Sequence, residues 1–182
     1  MIRYKTQSIP TIILKDSDMR LTEHGKKILN MSTIIFNIGA PSSGKSFYYL
    51  NNYSDKNYTY LSADAIRKEL LGDENNQSQG NYIFKVFYQR LEEALKNKEN
   101  IYIDNTNATR KSRKDIFKRI KKYNTNNDYH IQALVFIVPF YKLVWRDLWR
   151  KKRVGYKVIN RFLLKLELPE KEEGFHSIEY IK

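Results

Sequence analysis

A run of β-branched and aromatic residues, Ile34 to Ile38, stops at a glycine and gives way to Gly39-Ala40-Pro41-Ser42-Ser43-Gly44-Lys45-Ser46. Few folds accommodate that junction. The apolar run reads as a buried strand, and the segment after Lys45 is compatible with a helix. Between them the spacing is G-x-x-x-x-G-K-[ST], the phosphate-binding P-loop. Glycines let the backbone wrap so that successive N–H groups point inward at phosphate oxygens. The helix after the loop adds the positive end of its dipole. Lys45 then reaches the β- and γ-phosphates, and the Ser46 hydroxyl ligates Mg²⁺. The expected nucleotide contacts are Gly39, Ser42, Ser43, Gly44, Lys45, Ser46 and the adjacent Phe47, with ATP or another NTP as the bound molecule.

The rest of the chain alternates strands and helices. Tyr58 to Leu61 reads as a second strand, Asp64 to Leu71 as a helix, and Gly72 to Gly80 as a polar loop. From Tyr82 to Lys98 apolar residues fall at Ile83, Val86, Phe87, Leu91, Ala94 and Leu95, a helical stripe. Ile101 to Asp104 is a third strand, Lys111 to Tyr123 a basic helix, and Ile131 to Val138 a fourth strand. Helices are expected over Tyr141 to about Arg153 and over Tyr156 to Glu167, then a last strand over Ser177 to Ile181. That order implies an α/β fold with a parallel sheet of four or five strands and right-handed crossovers. Residues 1–30 show no clear period and read as an N-terminal extension, leaving 31–182 as the folded domain.

Composition narrows the function. The chain has 182 residues, a prior for one domain. It carries a net charge of +13, which favours polyanionic partners. Lys, Asn, Ile and Tyr are all abundant, as AT-rich coding produces, so the placement of the charge says more than its total. The absence of cysteine excludes a disulfide scaffold, a Cys nucleophile and thiolate zinc sites. No apolar run approaches the roughly 18 residues of a membrane helix. The N-terminus lacks the order of a signal peptide, so a soluble cytosolic protein with no membrane partner is the expectation.

Other residues cluster around the same chemistry. Asp104 ends the third strand, where a carboxylate facing the P-loop holds Mg²⁺ directly or through water, the Walker B arrangement. Asn105, Thr106 and Asn107 come next, in the crevice where open α/β sheets bind ligands. Asp64 starts a helix, with Arg67 three residues on and on the same side. Asp64 either caps that helix or accepts the proton of an attacking hydroxyl. Arg110, Lys111, Arg113, Lys114, Lys118, Arg119, Lys121 and Lys122 form one basic run, a solvated face or a phosphate track. Arg146, Arg150, Lys151, Lys152, Arg153 and Lys157 form another, placed where a small kinase carries a lid whose arginines neutralise the transferring group.

Taken together, G-A-P-S-S-G-K-S, L-S-A-D-A-I-R, I-D-N-T-N, V-P-F-Y-K-L-V-W-R and E-G-F-H-S-I-E-Y-I resemble the polynucleotide 5′-hydroxyl kinases best known from bacteriophage, over about Thr33 to Ile181. The resemblance implies a P-loop NTPase kinase fold with an Arg-rich helical lid. It implies Lys45, Asp64, Arg146 and Arg150 as catalytic residues, with Asp64 the general base. Arg67 matches the contact to the acceptor's phosphate, and Thr106 and Asn107 match polar acceptor-side residues. Arg153 stays in play as a nucleotide contact, because the spacing after Arg150 differs by about one residue. Ser46 and Asp104 are the metal residues. Ala63 and Ala65 stand where the phage pattern is more polar, and no phosphatase domain accompanies the kinase pattern in this sequence.

The expected reaction is ATP-dependent transfer to the 5′-OH end of DNA or RNA, in nucleic-acid repair, in a host cytoplasm if phage-encoded. A rival within the same fold is a kinase of a small metabolite, nucleotide or sugar-nucleotide, like the zeta-toxin relatives. A further rival is a nucleotide-gated binding module without transfer.

Overall fold

The computed structural model describes residues 31–74, 76, 78–151 and 153–181. The expected extension over 1–30 and Lys152 lie outside the described residues. Strand β1 (Ser32–Ile38) leads into helix α1 (Lys45–Asn52), and β2 (Thr59–Leu61) into α2 (Ala63–Leu71) and α3 (Gly80–Lys96). Strand β3 (Ile101–Ile103) precedes α4 (Arg110–Tyr123), and β4 (Tyr129–Phe136) precedes α5 (Phe140–Leu148) and α6 (Tyr156–Leu164). A 3₁₀ turn at Lys171–Glu173 leads into β5 (Ser177–Ile181).

The strands form one parallel sheet in the order β2-β3-β1-β4-β5. β1 therefore runs between β3 and β4 and is buried from Ile34 onward. Period-two alternation divides its side chains between two faces. Ile34, Phe36 and Ile38 pack with Ile83, Phe87 and Leu91 of α3 and Ile116 and Ile120 of α4. Ile35 turns the other way, toward Tyr102, Leu134, Phe136 and the tyrosines Tyr48, Tyr49 and Tyr53. A third cluster, Ala40, Leu143 and Ile159, seats α5 and α6 beside the P-loop.

The helices begin and end for local reasons. Ser62 caps α2 by accepting from the Ala65 N–H at 3.3 Å, and Gly72 ends it with φ +71°. In α3 the buried residues Ile83, Phe87, Leu91, Ala94 and Leu95 make the stripe expected of one packed face.

Two helices are shorter than their periodicity predicts. The helix expected to reach about Arg153 stops at Leu148. The buried Asp147 carboxylate accepts the backbone N–H groups of Val154 and Gly155, at 3.1 and 2.9 Å, and that bends the chain back. The next helix stops at Leu164, not Glu167, because Glu167 is held elsewhere. Its N–H donates to Ala108 O at 2.8 Å, and its carboxylate accepts the Arg110 N–H at 2.5 Å.

The first basic run is likewise divided. Arg113 is fully buried, with Nε and Nη2 both on the Glu173 carboxylate at 2.7 and 2.8 Å. Arg110 pairs with Glu170, and Arg119 stacks on the Tyr88 ring at 3.6 Å. Lys111, Lys114, Lys118, Lys121 and Lys122 remain as the exposed cations of α4. A residue in this run joins the core or the surface according to its helical phase, which counting charges does not reveal.

Candidate active site

The site lies where β1 and β3 end side by side. Their register pairs Phe36 with Ile103, which sets Asn37 level with Asp104. Gly39 follows β1 in a space that is tight for any side chain. A Cβ there would stand 3.0 Å from Phe136 Cβ, Phe136 O and Ser43 Oγ. The loop then turns through left-handed backbone at Ser42 (φ 63°) and Gly44 (φ 97°), and Lys45 opens α1. Ser42 tolerates that conformation while its hydroxyl donates to Asp147 Oδ1 at 3.2 Å.

The Lys45 ammonium is buried and folded onto its own loop, donating to Gly39 O at 3.0 Å, Ala40 O at 2.7 Å and Ser43 Oγ at 3.3 Å. Burial pulls its pKa down to about 8, while the nearby Asp104 and Asp64 charges hold it up and Arg150 works with burial. Among the described residues the ammonium's hydrogen bonds go to carbonyl and hydroxyl oxygens and none to a carboxylate, which favours a polyanion beside it.

Asp104 is the hub of a hydrogen-bond network. Its Oδ2 accepts from Ser46 Oγ and from Tyr60 OH, both at 2.6 Å, and its Oδ1 accepts from Asn37 Nδ2 at 3.0 Å. Asn37 is itself fixed, because its Oδ1 accepts from Tyr102 OH at 2.8 Å. Burial first, then the Asp104 charge, push the Tyr60 phenol far up, so it stays protonated and donates. Sequence reasoning missed Tyr60 and Asn37. The available signal was a polar residue, Asn37, inside an otherwise apolar strand.

Asp64 lies in the first turn of α2, and Ser62, not Asp64, is the cap. Its Oδ1 accepts from Arg67 Nη1 at 2.5 Å. The Arg67 side chain is buried and Nε has no hydrogen-bond partner among the described residues. The Asp64 carboxyl is pushed upward first by the surrounding protein and further by Asp104 and Glu74, against Arg67 and Arg150. Its side chain is 71% exposed, so the carboxylate remains in contact with water. Asn105 supports this end of the helix, its Oδ1 accepting the Ala63 N–H at 2.9 Å.

The remaining expected residues divide in two. Thr106 O accepts the Gly39 N–H at 3.0 Å, tying the loop after β3 to the P-loop. Asn107 turns inward. It is buried, takes φ 45°, and donates through Nδ2 to Asn37 O at 2.8 Å. Arg146, at the end of α5, donates to Ser43 O at 3.2 Å and so touches the P-loop itself. Arg150 lies just past the helix and lines a cleft with Lys68, Gly72, Glu74 and Lys151. Arg153 is exposed on the same turn, and Phe47 is 73% exposed on α1. Asp147, a lone acid in a basic run, was not singled out from sequence. Burial raises its pKa, but the N–H groups of Gly155 and Val154 and the Ser42 hydroxyl outweigh this and hold it low.

Similarity to known proteins fits this geometry. A family model described as an AAA domain matches residues 34–169. A solved chain from the Pnkp1/Rnl/Hen1 RNA repair complex is 24% identical, with a TM-score of 0.64. The match covers 75% of this chain and 44% of that one, so this chain spans less than half the length of that relative. A fungal RNA kinase is 16% identical, with a TM-score of 0.59 and coverage of 84% and 76%. A gluconokinase from Sinorhizobium meliloti 1021 is also 16% identical, with a TM-score of 0.51 and coverage of 84% and 82%. No curated protein matches the chain. At these identities the solved structures show the P-loop kinase-like fold. No helix among the described residues is long and apolar enough to cross a membrane.

Proposed function

The chain belongs to the AAA-domain family, and on that premise we propose that it is a kinase moving the γ-phosphate of ATP to the 5′-hydroxyl end of a polynucleotide. One observation carries the reading. The Asp64–Arg67 pair opens α2 at the edge of the P-loop crevice, within electrostatic reach of Lys45, Asp104 and Arg150. A passive nucleotide-binding module has no use for a carboxylate placed there. The kinase unit is residues 31–182.

In this reading the P-loop amides and Lys45 hold the β- and γ-phosphates. Asp64 accepts the proton of the acceptor hydroxyl as that oxygen bonds to the γ-phosphorus. The bond from the γ-phosphorus to the β–γ bridging oxygen breaks, and ADP carries away the electron pair. Lys45, Arg146 and Arg150 offset the charge on the transferring group. Arg67 holds the phosphate next to the reacting hydroxyl. Thr106 steadies the P-loop through its backbone carbonyl and Asn107 the end of β1 through its side-chain amide, and the Thr106 hydroxyl is left to meet the acceptor.

The donor set suits Mg²⁺. Two hard oxygens, Ser46 Oγ and Asp104 Oδ2, lie 2.6 Å apart, and Tyr60 and Asn37 orient the carboxylate. Mg²⁺ is usually held by one or two protein oxygens plus phosphates and water, so a larger acidic cluster is not required. When bound it neutralises phosphate charge.

Transfer of labelled γ-phosphate tests the proposal, with 5′-OH oligonucleotides run beside a panel of metabolites that includes gluconate. Labelled oligonucleotide is expected. Label on a metabolite alone would assign the protein to small-molecule kinases, and no label on any acceptor would leave the binding module.

A further inference from the structure

The cleft beyond Asp64 is built from α2 and from the turn after α5. It has a volume of about 290 Å³ and is lined by Lys68, Gly72, Glu74, Arg150 and Lys151. Of the lining residues, Arg150 already belongs to the proposed phosphoryl-transfer machinery. Lys68 and Lys151 do not, and both are exposed. Among the described residues no ion pair holds either of them.

Position along α2 relates this cleft to the reacting end. Lys68 is four residues past Asp64, so both lie on one face, about one 5.4 Å turn apart. Gly72 closes the helix, and a Cβ there would meet nothing within 4 Å, so the floor of the cleft is open. Glu74 sits in the wall and its charge is felt at Asp64. Three cations against one carboxylate leave a modest positive excess. That excess suits a phosphate group, whether a diester or a terminal phosphate.

On the reading of the protein as a polynucleotide kinase, we infer that this cleft binds the second phosphate of the acceptor strand, with Lys68 and Lys151 as its two dedicated cations. The first phosphate, beside the reacting hydroxyl, lies at Arg67. The next lies at Lys68, about one turn along α2 from Asp64, where the Arg67 guanidinium reaches. A sugar or sugar acid has no group to place there, so the cleft confers preference for acceptors longer than one nucleotide.

The test compares two acceptors with wild-type protein and a Lys68→Ala/Lys151→Ala double variant. A nucleoside 3′-phosphate offers one phosphate. A dinucleotide with a 3′-phosphate offers two. Wild type is expected to show a lower KM for the dinucleotide. The double variant should raise the dinucleotide KM about tenfold while leaving the KM for the mononucleotide and for ATP unchanged. Arginine at both positions should restore the dinucleotide KM, and because both lysines are exposed the melting temperature should not move. Equal KM values for the two acceptors in wild type would overturn the inference while leaving the proposed function standing. So would a double variant that shifts both acceptors alike or neither. Wild type that labels gluconate and neither nucleotide would overturn the proposed function and this subsite together.

Discussion

In the proposed reaction Lys45 and Asp64 carry different parts, and single substitutions separate them. Lys45→Ala removes the ammonium that the loop buries against its own carbonyls. Phosphate transfer should be lost while circular dichroism stays unchanged, because the loop relies on glycine and serine geometry more than on this side chain. Asp64→Asn keeps the shape of the first turn of α2, which Ser62 caps. Turnover should fall about 10²- to 10⁴-fold, the usual effect of losing a general base, with ATP affinity nearly constant by calorimetry. A variant that loses only thermal stability would identify Asp64 as structural. Asp147 works at the same scale by another route. Replacing it with alanine strands the N–H groups of Val154 and Gly155, each at a cost of about 1–3 kcal/mol if it stays buried. Denaturation should show lower stability, and kcat should fall with it, because Arg150 lies on the turn Asp147 holds.

At the scale of elements, the ends of α4 and β5 are tied through charge and imidazole chemistry. Arg113 on α4 grips Glu173 and also donates to the carbonyls of Asn107 and Glu167, at 3.0 and 2.9 Å. One guanidinium thus joins the loop after β3 to the turn before β5. Arg113→Met should destabilise the protein by about 3 kcal/mol, because it leaves the partly buried Glu173 carboxylate without its partner. Adding Glu173→Leu should return part of that loss, and urea denaturation reads both. His176, just before β5, accepts the Ile131 N–H through Nδ1 at 3.0 Å. Burial first, then His130, hold its pKa below the ordinary 6.5. The unfolded chain therefore takes up the proton first as pH falls. The stabilising contribution is whole above pH 6.5 and declines below it, toward the lower folded-state value. His176→Gln should flatten that decline, measured by denaturation at about pH 7.5 and about pH 5. An equal decline in both proteins would place the acid sensitivity elsewhere.

The molecule as a whole carries +13, and two groups of its described cations do different work. Those of α4 partly serve the core, through Arg113, and partly face water. Those after α5 are, in the proposed reaction, the ones that meet phosphate. Acceptor binding should therefore weaken with salt, with a log–log slope of about −0.7 for each phosphate contacted on a single strand. Removing Lys68 and Lys151 should flatten the slope. Removing Lys118 and Lys122, two or more helical turns beyond Arg110 along α4, should leave it unchanged. A slope unaffected by the first pair and flattened by the second would move the strand's path onto α4.

Local signals alone determined the order of the elements and the P-loop with its Lys45 and Ser46, and they marked Asp64 and Asp104 as candidates at the ends of the second and third strands. Each depends on spacing within a few residues. A strand that breaks at Gly39, a helix from Asp64 to Leu71 and an apolar stripe from Ile83 to Leu95 are all written in short-range chemistry. Contacts between distant residues were decided only by the tertiary structure. The register of β1 against β3 brings Asn37 and Asp104 together across 67 positions of sequence. Tyr60 reaches the same carboxylate from a third strand. Helical phase sends Arg113 inward while Lys111 and Lys114 face water. Asp147 shortens α5 by bonding to backbone that comes after it. These outcomes depend on which groups meet after the sheet closes, and a buried polar group must find a partner wherever the fold supplies one.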